Sequence, residues 1–452
     1  MKPIIYILCS VFFWLNLNCK NKEQTAMSGL LTDIQPPILT KFKIAVNPLD
    51  PQPLLPGIQS GVNAYSNSKL LLFAGRTNGF HGLISSDTSF NAKQNNQNIY
   101  VVDLYSWKYS SVPLPAGEDM LPFTGTNIQY FQDGDTLYLI GGYGRKSTTD
   151  YQNNYTLDKC IAISVSAMIR AVESKSDIRK AILYTIQSPF FKVTGGEVFK
   201  LNGWFYLMYG QVYDQPYSVG VSGKYTESVR IFRIKNGKLT DTSSVQDPLF
   251  HRRDLNVVKV KQNSGDFFAT YGGVFNENNK GFVHPIYIYP DNGKITYKQD
   301  TLSQISNQYD CAKLNVFDPV SNTHVTALLG GIGASFFNFE TKSWDPNGDD
   351  GNPLPFVKAI TQMICKNGSI SQYIQNPLTD PELPEFIGAD ALFIPIYAIR
   401  FEDQVIDATK LTRDSMTIGY FYGGIQSPRP TSSDIYPTTV NSTLYSVHLI
   451  RK

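Results

Sequence analysis

The sequence predicts an all-β fold in which six repeated four-stranded units form a β-propeller, and three observations support this. Among 452 residues there are 27 Tyr, 27 Phe and 34 Gly, a composition that suits strands joined by tight turns. Asn-Gly pairs, which favour two-residue hairpins, separate β-patterned segments at residues 236–237, 292–293 and 367–368. Apolar runs ending in Gly-Gly, or nearly so, recur at residues 70–75, 137–142, 205–210, 267–273, 327–331 and 420–424.

A small or polar trio opens a further strand ahead of each of these apolar runs. The trios are residues 59–61, 124–126, 194–196 and 252–254, with 309–311 and 388–390 at longer range. An insertion around residues 400–415 explains the long gap in the last unit. Each unit is therefore expected to have four strands, a to d, with the trio opening a and Gly-Gly ending b.

The last unit is one strand short, which indicates how the ring closes. Only residues 443–450 follow the final Gly-Gly, so residues 41–46 are expected to supply the missing strand and remove the open edges. A helical stretch at residues 166–180 is predicted as an insertion between strands c and d of the second unit.

The repeat resembles the kelch motif over residues 42–452. Asp103, Trp107 and the sequence Pro113-Leu114-Pro115 resemble the segment between strands c and d of that motif. The resemblance implies a six-bladed kelch-type β-propeller, similar in architecture to galactose oxidase and N-acetylneuraminate epimerase.

The N-terminus has the pattern of an export signal. Lys2 precedes an apolar run at residues 4–17, which is shorter than the ~20 residues of a membrane span. The run ends at Asn18-Cys19-Lys20, which resembles a bacterial lipoprotein signal of the relaxed kind found in Bacteroidota. Residues 1–18 are thus predicted as a signal peptide, 19–40 as a tether lipidated at Cys19, and 41–452 as the propeller. An ordinary secretory signal is the alternative.

Charge and cysteine content limit the partners. With 40 basic and 38 acidic residues the net charge is +2, so we expect no nucleic-acid partner. Cys160, Cys311 and Cys365 lie in the propeller at no metal-ligand spacing, and buried free thiols are expected. A Cys311–Cys365 disulfide stays open as an alternative.

One rim of the propeller is predicted to collect the polar residues that bind a ligand. In a propeller the d–a and b–c loops share a rim, so the trios and the residues that follow Gly-Gly should converge there. Arginine offers planar, bidentate donors for anions and sugar hydroxyls, so an anionic or glycan pocket is expected. In the alternative, Arg252 and Arg253 only tie blades together. The candidates are Arg76, Arg145, Glu197, Gln211, Arg252, Arg253, Asp254, Tyr309, Asp310 and Asp390.

Catalytic and metal-binding patterns are sparse. The five histidines are scattered, and only His251, beside Arg252, lies at the predicted rim. Residues 345–351 resemble a calcium loop but lack its glycine and final glutamate, so a surface turn is expected. The sequence therefore predicts no metal and no cofactor.

These features favour a cell-envelope lipoprotein, anchored to the outer membrane on its periplasmic or cell-surface face. Its propeller is expected to be a binding or scaffold module for a protein partner or a glycan. A sugar-modifying enzyme, similar to the kelch-group epimerase, is one alternative, and a structural subunit of an outer-membrane complex is another.

Replacement of the anchor cysteine tests the lipoprotein prediction. Cys19→Ala removes the acylation site, so the protein should move from the membrane fraction to the soluble fraction on cell fractionation. Cys9→Ala, within the predicted signal peptide, is the matched control and should leave the distribution unchanged. A Cys19→Ala protein that stays uncleaved in the membrane would contradict the prediction.

Overall fold

The computed structural model describes residues 42–80, 90–150, 153–217, 223–345, 354–401, 403–432 and 436–451 and confirms the six-bladed β-propeller. In strand order a to d, blade 1 is Val62–Ser66, Lys69–Phe73, Asn98–Asp103 and Tyr109–Pro113. Blade 2 is Gln129–Asp133, Thr136–Ile140, Lys159–Ser164 and Ile182–Gln187. Blade 3 is Glu197–Leu201, Trp204–Met208, Ser228–Lys235 and Lys238–Gln246.

The second half of the ring repeats the pattern. Blade 4 is Arg253–Val260, Phe267–Val274, Ile286–Asp291 and Lys294–Gln299. Blade 5 is Ala312–Asp318, Thr323–Leu329, Ile360–Lys366 and Ser369–Ile374, with Ile406–Asp407 as a fifth strand. Blade 6 is Ala391–Pro395, Ser415–Gly423, Tyr445–Arg451 and Phe42–Pro48.

Shorter elements decorate the loops. Four two-stranded ribbons pair Tyr143–Gly144 with Tyr155–Thr156, Gln211–Val212 with Lys224–Tyr225, Phe336–Asn338 with Ser343–Asp345, and Ile425–Gln426 with Thr439–Val440. The 3-10 helices are Ala92–Gln94, Leu121–Thr124, Ile178–Ala181, Pro189–Phe191, Pro248–Phe250, Tyr397–Ile399 and Ala408–Lys410. Within the described ranges no helix is long and apolar enough to cross a membrane.

The predicted helix forms where expected, between strands c and d of blade 2. It spans Val165–Glu173 and begins at Ser164, whose side chain accepts a hydrogen bond from the Ala167 amide. Met168 and Ile169 are on its buried face, in the apolar cluster shared by blades 1 and 2.

Strand b is the most buried part of each blade, and its glycines explain the recurring Gly-Gly signal. All the residues of Phe267–Val274 are buried. Gly141, directly after Thr136–Ile140, has φ of +61°, a backbone conformation that favours glycine. A Cβ atom there would also collide with the Val193 carbonyl oxygen. The double glycine thus ends strand b and lets the d–a loop approach its end.

The described residues form seven apolar clusters, of which six lie one between each pair of neighbouring blades and the seventh, around Tyr309 and Phe356, lies among the loops. Between blades 2 and 3, for example, the rings of Phe205 and Phe232 stack at 5.0 Å within the cluster that also holds Cys160. Cys160, Cys311 and Cys365 are all buried and free, which confirms the expectation of buried thiols.

The N-terminal strand closes the ring, as predicted. Phe42–Pro48 pairs antiparallel with Tyr445–Arg451, the strand near the other end of the chain, from Phe42↔Arg451 to Pro48↔Tyr445. On its far side, Gln375 bonds the N–H of Ile44 at 2.6 Å and its carbonyl at 3.0 Å. Gln375, directly after strand d of blade 5, thus forms hydrogen bonds with backbone groups that an open edge strand would leave unpaired.

Removal of this strand should open the ring. Deletion of residues 42–48 exposes strand c of blade 6 and the apolar surface that Phe42, Ile44 and Val46, each at most 4% exposed, cover in the intact protein. We expect aggregation or a large drop in melting temperature, measured by calorimetry and size-exclusion chromatography. The matched control deletes residues 27–33, in the predicted tether, and should melt normally. Unchanged melting of the first variant would show that the pairing does not hold the ring.

Candidate functional site

Six residues, one from each blade, form a ring around the propeller axis at the start of strand a. All six have positive φ, between +41° and +66°. Backbone hydrogen bonds link four of the six neighbouring pairs, among them Asp254 N–H to Gly195 O at 2.8 Å and Asp390 N–H to Asp310 O at 2.7 Å. Asn, Asp and Gly tolerate this left-handed conformation best. The ring residues are Ser60, Asn127, Gly195, Asp254, Asp310 and Asp390.

The ring is acidic on one side only. Its three aspartates come from consecutive blades, 4 to 6, whereas blades 1 to 3 contribute Ser60, Asn127 and Gly195. The Asn127 amide bonds the Asp254 carboxylate, which reaches past Gly195. A Cβ atom on Gly195 would lie 2.5 Å from Asp254 Oδ1, so the absence of a side chain in blade 3 permits this contact.

Asp310 and Asp390 form a hydrogen-bonded carboxyl pair. Burial, and then the like charge of Asp390, raises the pKa of Asp310 well above its ordinary value. Burial also raises the pKa of Asp390 to about 6, although hydrogen bonds from Asp310 and Ser60 oppose the shift. Burial and the like charges therefore favour one proton shared by the two carboxyl groups over two ionised carboxylates.

An ion pair crosses the central channel of the propeller, on the side of the ring that faces along strands a. Lys313 Nζ of blade 5 lies 2.7 Å from Glu197 Oε1 of blade 3, with blade 4 between them in the ring. Burial raises the pKa of Glu197, while that of Lys313 is raised because Glu197 and Asp310 outweigh the opposing effect of burial. The two side chains are 22% and 25% exposed, so both reach the space along the axis.

The insertion of blade 6 forms a floor at the other end of the channel. Ile406–Asp407 adds a parallel strand to Ala312–Asp318, the innermost strand of blade 5, and so lies on the axial side of that blade. Asp403 ties the insertion to blade 4, at 2.6 Å from Lys259 Nζ and 2.8 Å from Lys261 Nζ.

Arg400 on this floor lies between two tyrosine rings. Its guanidinium carbon is 4.8 Å from the ring centroid of Tyr397 and 5.6 Å from that of Tyr65 in blade 1. Its Nε and Nη1 atoms are buried and have no hydrogen-bond partner among the described residues. Burial lowers the pKa of this guanidinium.

Between ring and floor lies a cavity of about 920 Å³. The tyrosine hydroxyl of Tyr130 accepts a hydrogen bond of 2.5 Å from Asn63 on its wall. Gln129 lies near the ring, 2% exposed, and its Oε1 atom has no partner among the described residues. The lining reaches Lys410, an exposed residue of the insertion, so the cavity extends to the protein surface there.

Four of the sequence-predicted rim residues lie away from this cavity. Arg76 and Arg252 are almost fully buried, and Arg145 and Gln211 are 7% and 5% exposed. Arg76 donates to Asn78 Oδ1 and Asn95 Oδ1, and Arg252 to the carbonyls of Gly272 and His284. Arg145 donates to the carbonyls of Ser147, Thr148 and Asp150, and the backbone of Gln211 pairs with Thr194. These side chains fasten loops of the protein itself.

The other six predicted residues lie at or beside the ring. Glu197, Asp254, Asp310 and Asp390 line the cavity. Arg253 lies behind the ring, hydrogen-bonded to Asp254 and 5.0 Å from the centroid of the Phe275 ring. Tyr309 is 9% exposed, and burial and Asp254 raise its pKa.

His251 is outside the channel. Its Nδ1 atom is 2.6 Å from Glu227 Oε1 and its ring stacks on Tyr225 at 3.8 Å. No group of three His, Cys, Asp or Glu residues in the described part of the chain is arranged to hold a metal ion. Of the calcium-loop-like segment at residues 345–351, all but Asp345 lies outside the described residues.

Sequence reasoning missed Lys313, Gln129, Asn63, Tyr130 and Arg400. The first four are polar residues on innermost strands, where a propeller otherwise packs apolar side chains. Polar residues at these positions could have indicated the site from the sequence. Arg400 was assigned to the insertion, and no local pattern shows that the insertion turns towards the axis.

Comparison with known proteins adds little to this description. No family model matches the chain and no curated protein matches it. A solved structure entitled "Structure of YjhT" aligns with 86% of this chain and 99% of its own, at 12% identity and a TM-score of 0.47. That likeness is too weak to support an argument, so the propeller assignment depends on the sheets described above.

The carboxyl pair should make stability depend on pH. Below pH 3.8, Asp390 is protonated in folded and unfolded chains alike; as pH rises to about 6, only the unfolded chain loses the proton, so folding is progressively disfavoured. Asp390→Asn should remove this loss and raise the free energy of unfolding at pH 7 by up to about 3 kcal/mol. Urea unfolding at pH 4 and pH 7 measures it, with exposed Glu118→Gln as control. An Asp390→Asn variant as pH-dependent as the parent would contradict the assignment.

Proposed function

We propose that this protein is a cell-envelope lipoprotein whose propeller is a binding module, and that its ligand is a small polar molecule held in the axial channel. The ligand is either a sugar or a short segment of a partner. The lipoprotein part of the proposal depends on the N-terminal pattern that ends at Cys19. The binding part depends on the channel.

The cavity between ring and floor is the observation that carries the proposal. Its volume of about 920 Å³ is in the range of small-molecule sites, ~300–1,000 Å³. Binding sites of this kind combine an apolar wall with a few fixed polar groups. Here Tyr65, Tyr130 and Phe199 supply aromatic surface, and Asn63 and Gln132 supply amides.

Unused hydrogen-bonding capacity in the channel also supports ligand binding. Buried polar groups in folded proteins nearly always have partners. Gln129 Oε1 and two nitrogens of Arg400 have none among the described residues, and both residues belong to the lining of the cavity. A polar ligand would supply acceptors for the arginine and a donor for the amide oxygen.

The Asp310–Asp390 pair favours an enzyme as the second candidate. General acid–base catalysis needs one protonated and one ionised group near neutral pH, and a pair with one shared proton provides both. The enzyme proposed on this basis would act on a sugar in the channel, in keeping with the epimerase-like alternative.

Ligand-induced stabilisation tests the proposed function. The full chain, purified in detergent, is heated with glucose, N-acetylglucosamine and tetra-alanine at several concentrations, and stabilisation should appear with at least one probe. Asn63→Ala removes a polar group from the channel wall and should weaken binding of that probe about three- to tenfold. Asn278→Ala, on an exposed loop, is the matched control and should bind normally.

The outcome separates the candidates. Equal binding by parent and Asn63→Ala, or no stabilisation by any probe, would contradict a channel ligand. If NMR shows that a bound sugar is also converted, and Asp390→Asn still binds it but no longer converts it, the protein is an enzyme and the second candidate function is correct.

A further inference from the structure

The two ends of the channel differ in net charge. At the ring, Arg253 balances Asp254 and Lys313 balances Glu197. Lys313 attracts both carboxyl groups of the Asp310–Asp390 pair but is already paired with Glu197, and no other cation of the described residues is paired with them. When it holds a single proton, the carboxyl pair therefore adds one net negative charge to this end. A cation from a ligand would therefore be favoured at this end.

Gln129 gives a second, independent indication of the same preference. Its Oε1 atom is buried at the ring end and has no donor among the described residues, and its amide nitrogen is already bonded to the Asn127 carbonyl at 2.6 Å. The free group is thus an acceptor. An acceptor beside an uncompensated carboxyl pair fits a ligand with several N–H donors, such as a protonated amine.

The floor has the opposite preference. Arg400 is a guanidinium with two buried nitrogens that lack acceptors among the described residues. Its carboxylate neighbour Asp403 is held instead by Lys259 and Lys261. An anionic group on a ligand would accept hydrogen bonds from Arg400, whose guanidinium group already lies between two tyrosine rings.

Strand a sets the distance between the two ends. In blade 1 the ring residue is Ser60 and the contact with Arg400 is made by Tyr65. Five residues of a strand span about 16 Å at roughly 3.3 Å per residue. An extended peptide of four or five residues has its terminal charges about that far apart.

We infer that the channel binds an amphoteric, extended ligand, chemically a short peptide with free ends, whose ammonium group lies at Asp310, Asp390 and Gln129 and whose carboxylate lies at Arg400. The inference depends on the proposed channel-binding function and specifies its ligand. Among the described residues there is no lone cation at the ring and no lone acid at Arg400, and this arrangement of charges also fixes the direction in which the peptide lies.

Four forms of one peptide test this. The affinity of the full chain for tetra-alanine is measured by isothermal titration calorimetry with both ends free, with the amine acetylated, with the carboxylate amidated, and with both ends blocked. Each block should weaken binding about tenfold to a hundredfold, because it removes a charge-assisted contact.

Protein variants then assign each end. In Arg400→Gln the amidated and free-acid peptides should bind equally, while acetylation should still weaken binding; in Asp390→Asn the penalty for acetylation should shrink and that for amidation should persist. The matched controls are Arg413→Gln and Glu118→Gln, both exposed, which should behave like the parent. Melting temperatures confirm that each variant is folded.

Two results would overturn the inference and leave the proposed function standing. One is a sugar that binds in the channel while no form of the peptide does. The other is equal affinity for free and blocked peptides. Loss of the amidation penalty in Asp390→Asn, in place of Arg400→Gln, would show that the peptide lies the other way and would overturn the assigned direction.

Discussion

The left-handed backbone at the start of each strand a is the constraint on which the rest of the site depends. Six chain segments converge there, and each reverses direction through one residue with positive φ before it joins the innermost strand. Gly, Asn and Asp meet that requirement at the lowest cost, and five of the six ring residues are of these types. Polar side chains are therefore brought to the axis by the demands of the turn itself.

The charge of the ring depends on which residue each blade carries at this position. With aspartate in blades 4, 5 and 6, three carboxyl groups lie on one side of the ring, and only Asp254 has its own arginine. Burial and the like charges then favour a proton shared by the Asp310–Asp390 pair. The insertion of blade 6 places a cation at the opposite end, so a polar channel with unlike ends lies inside an otherwise apolar ring of blades.

Features encoded locally could be predicted from the sequence. Gly-Gly marks the end of strand b because a Cβ at Gly141 would strike the next loop, and the N-terminal strand was expected because the last blade lacked one. Side-chain direction was harder. Arg252 lies next to the ring, yet its guanidinium turns to the carbonyls of Gly272 and His284, a choice set by distant loops. The inward course of the insertion depends on the Val316↔Ile406 pairing, which no local pattern encodes.

A crystal structure of the full chain, grown above pH 6 in the presence of tetra-alanine, tests the central claim most directly. The account predicts an extended peptide along the axis, with its amine beside Asp390 and its carboxylate on Arg400. A well-ordered channel that holds only water, with the peptide bound on the outer surface of the propeller, would contradict it.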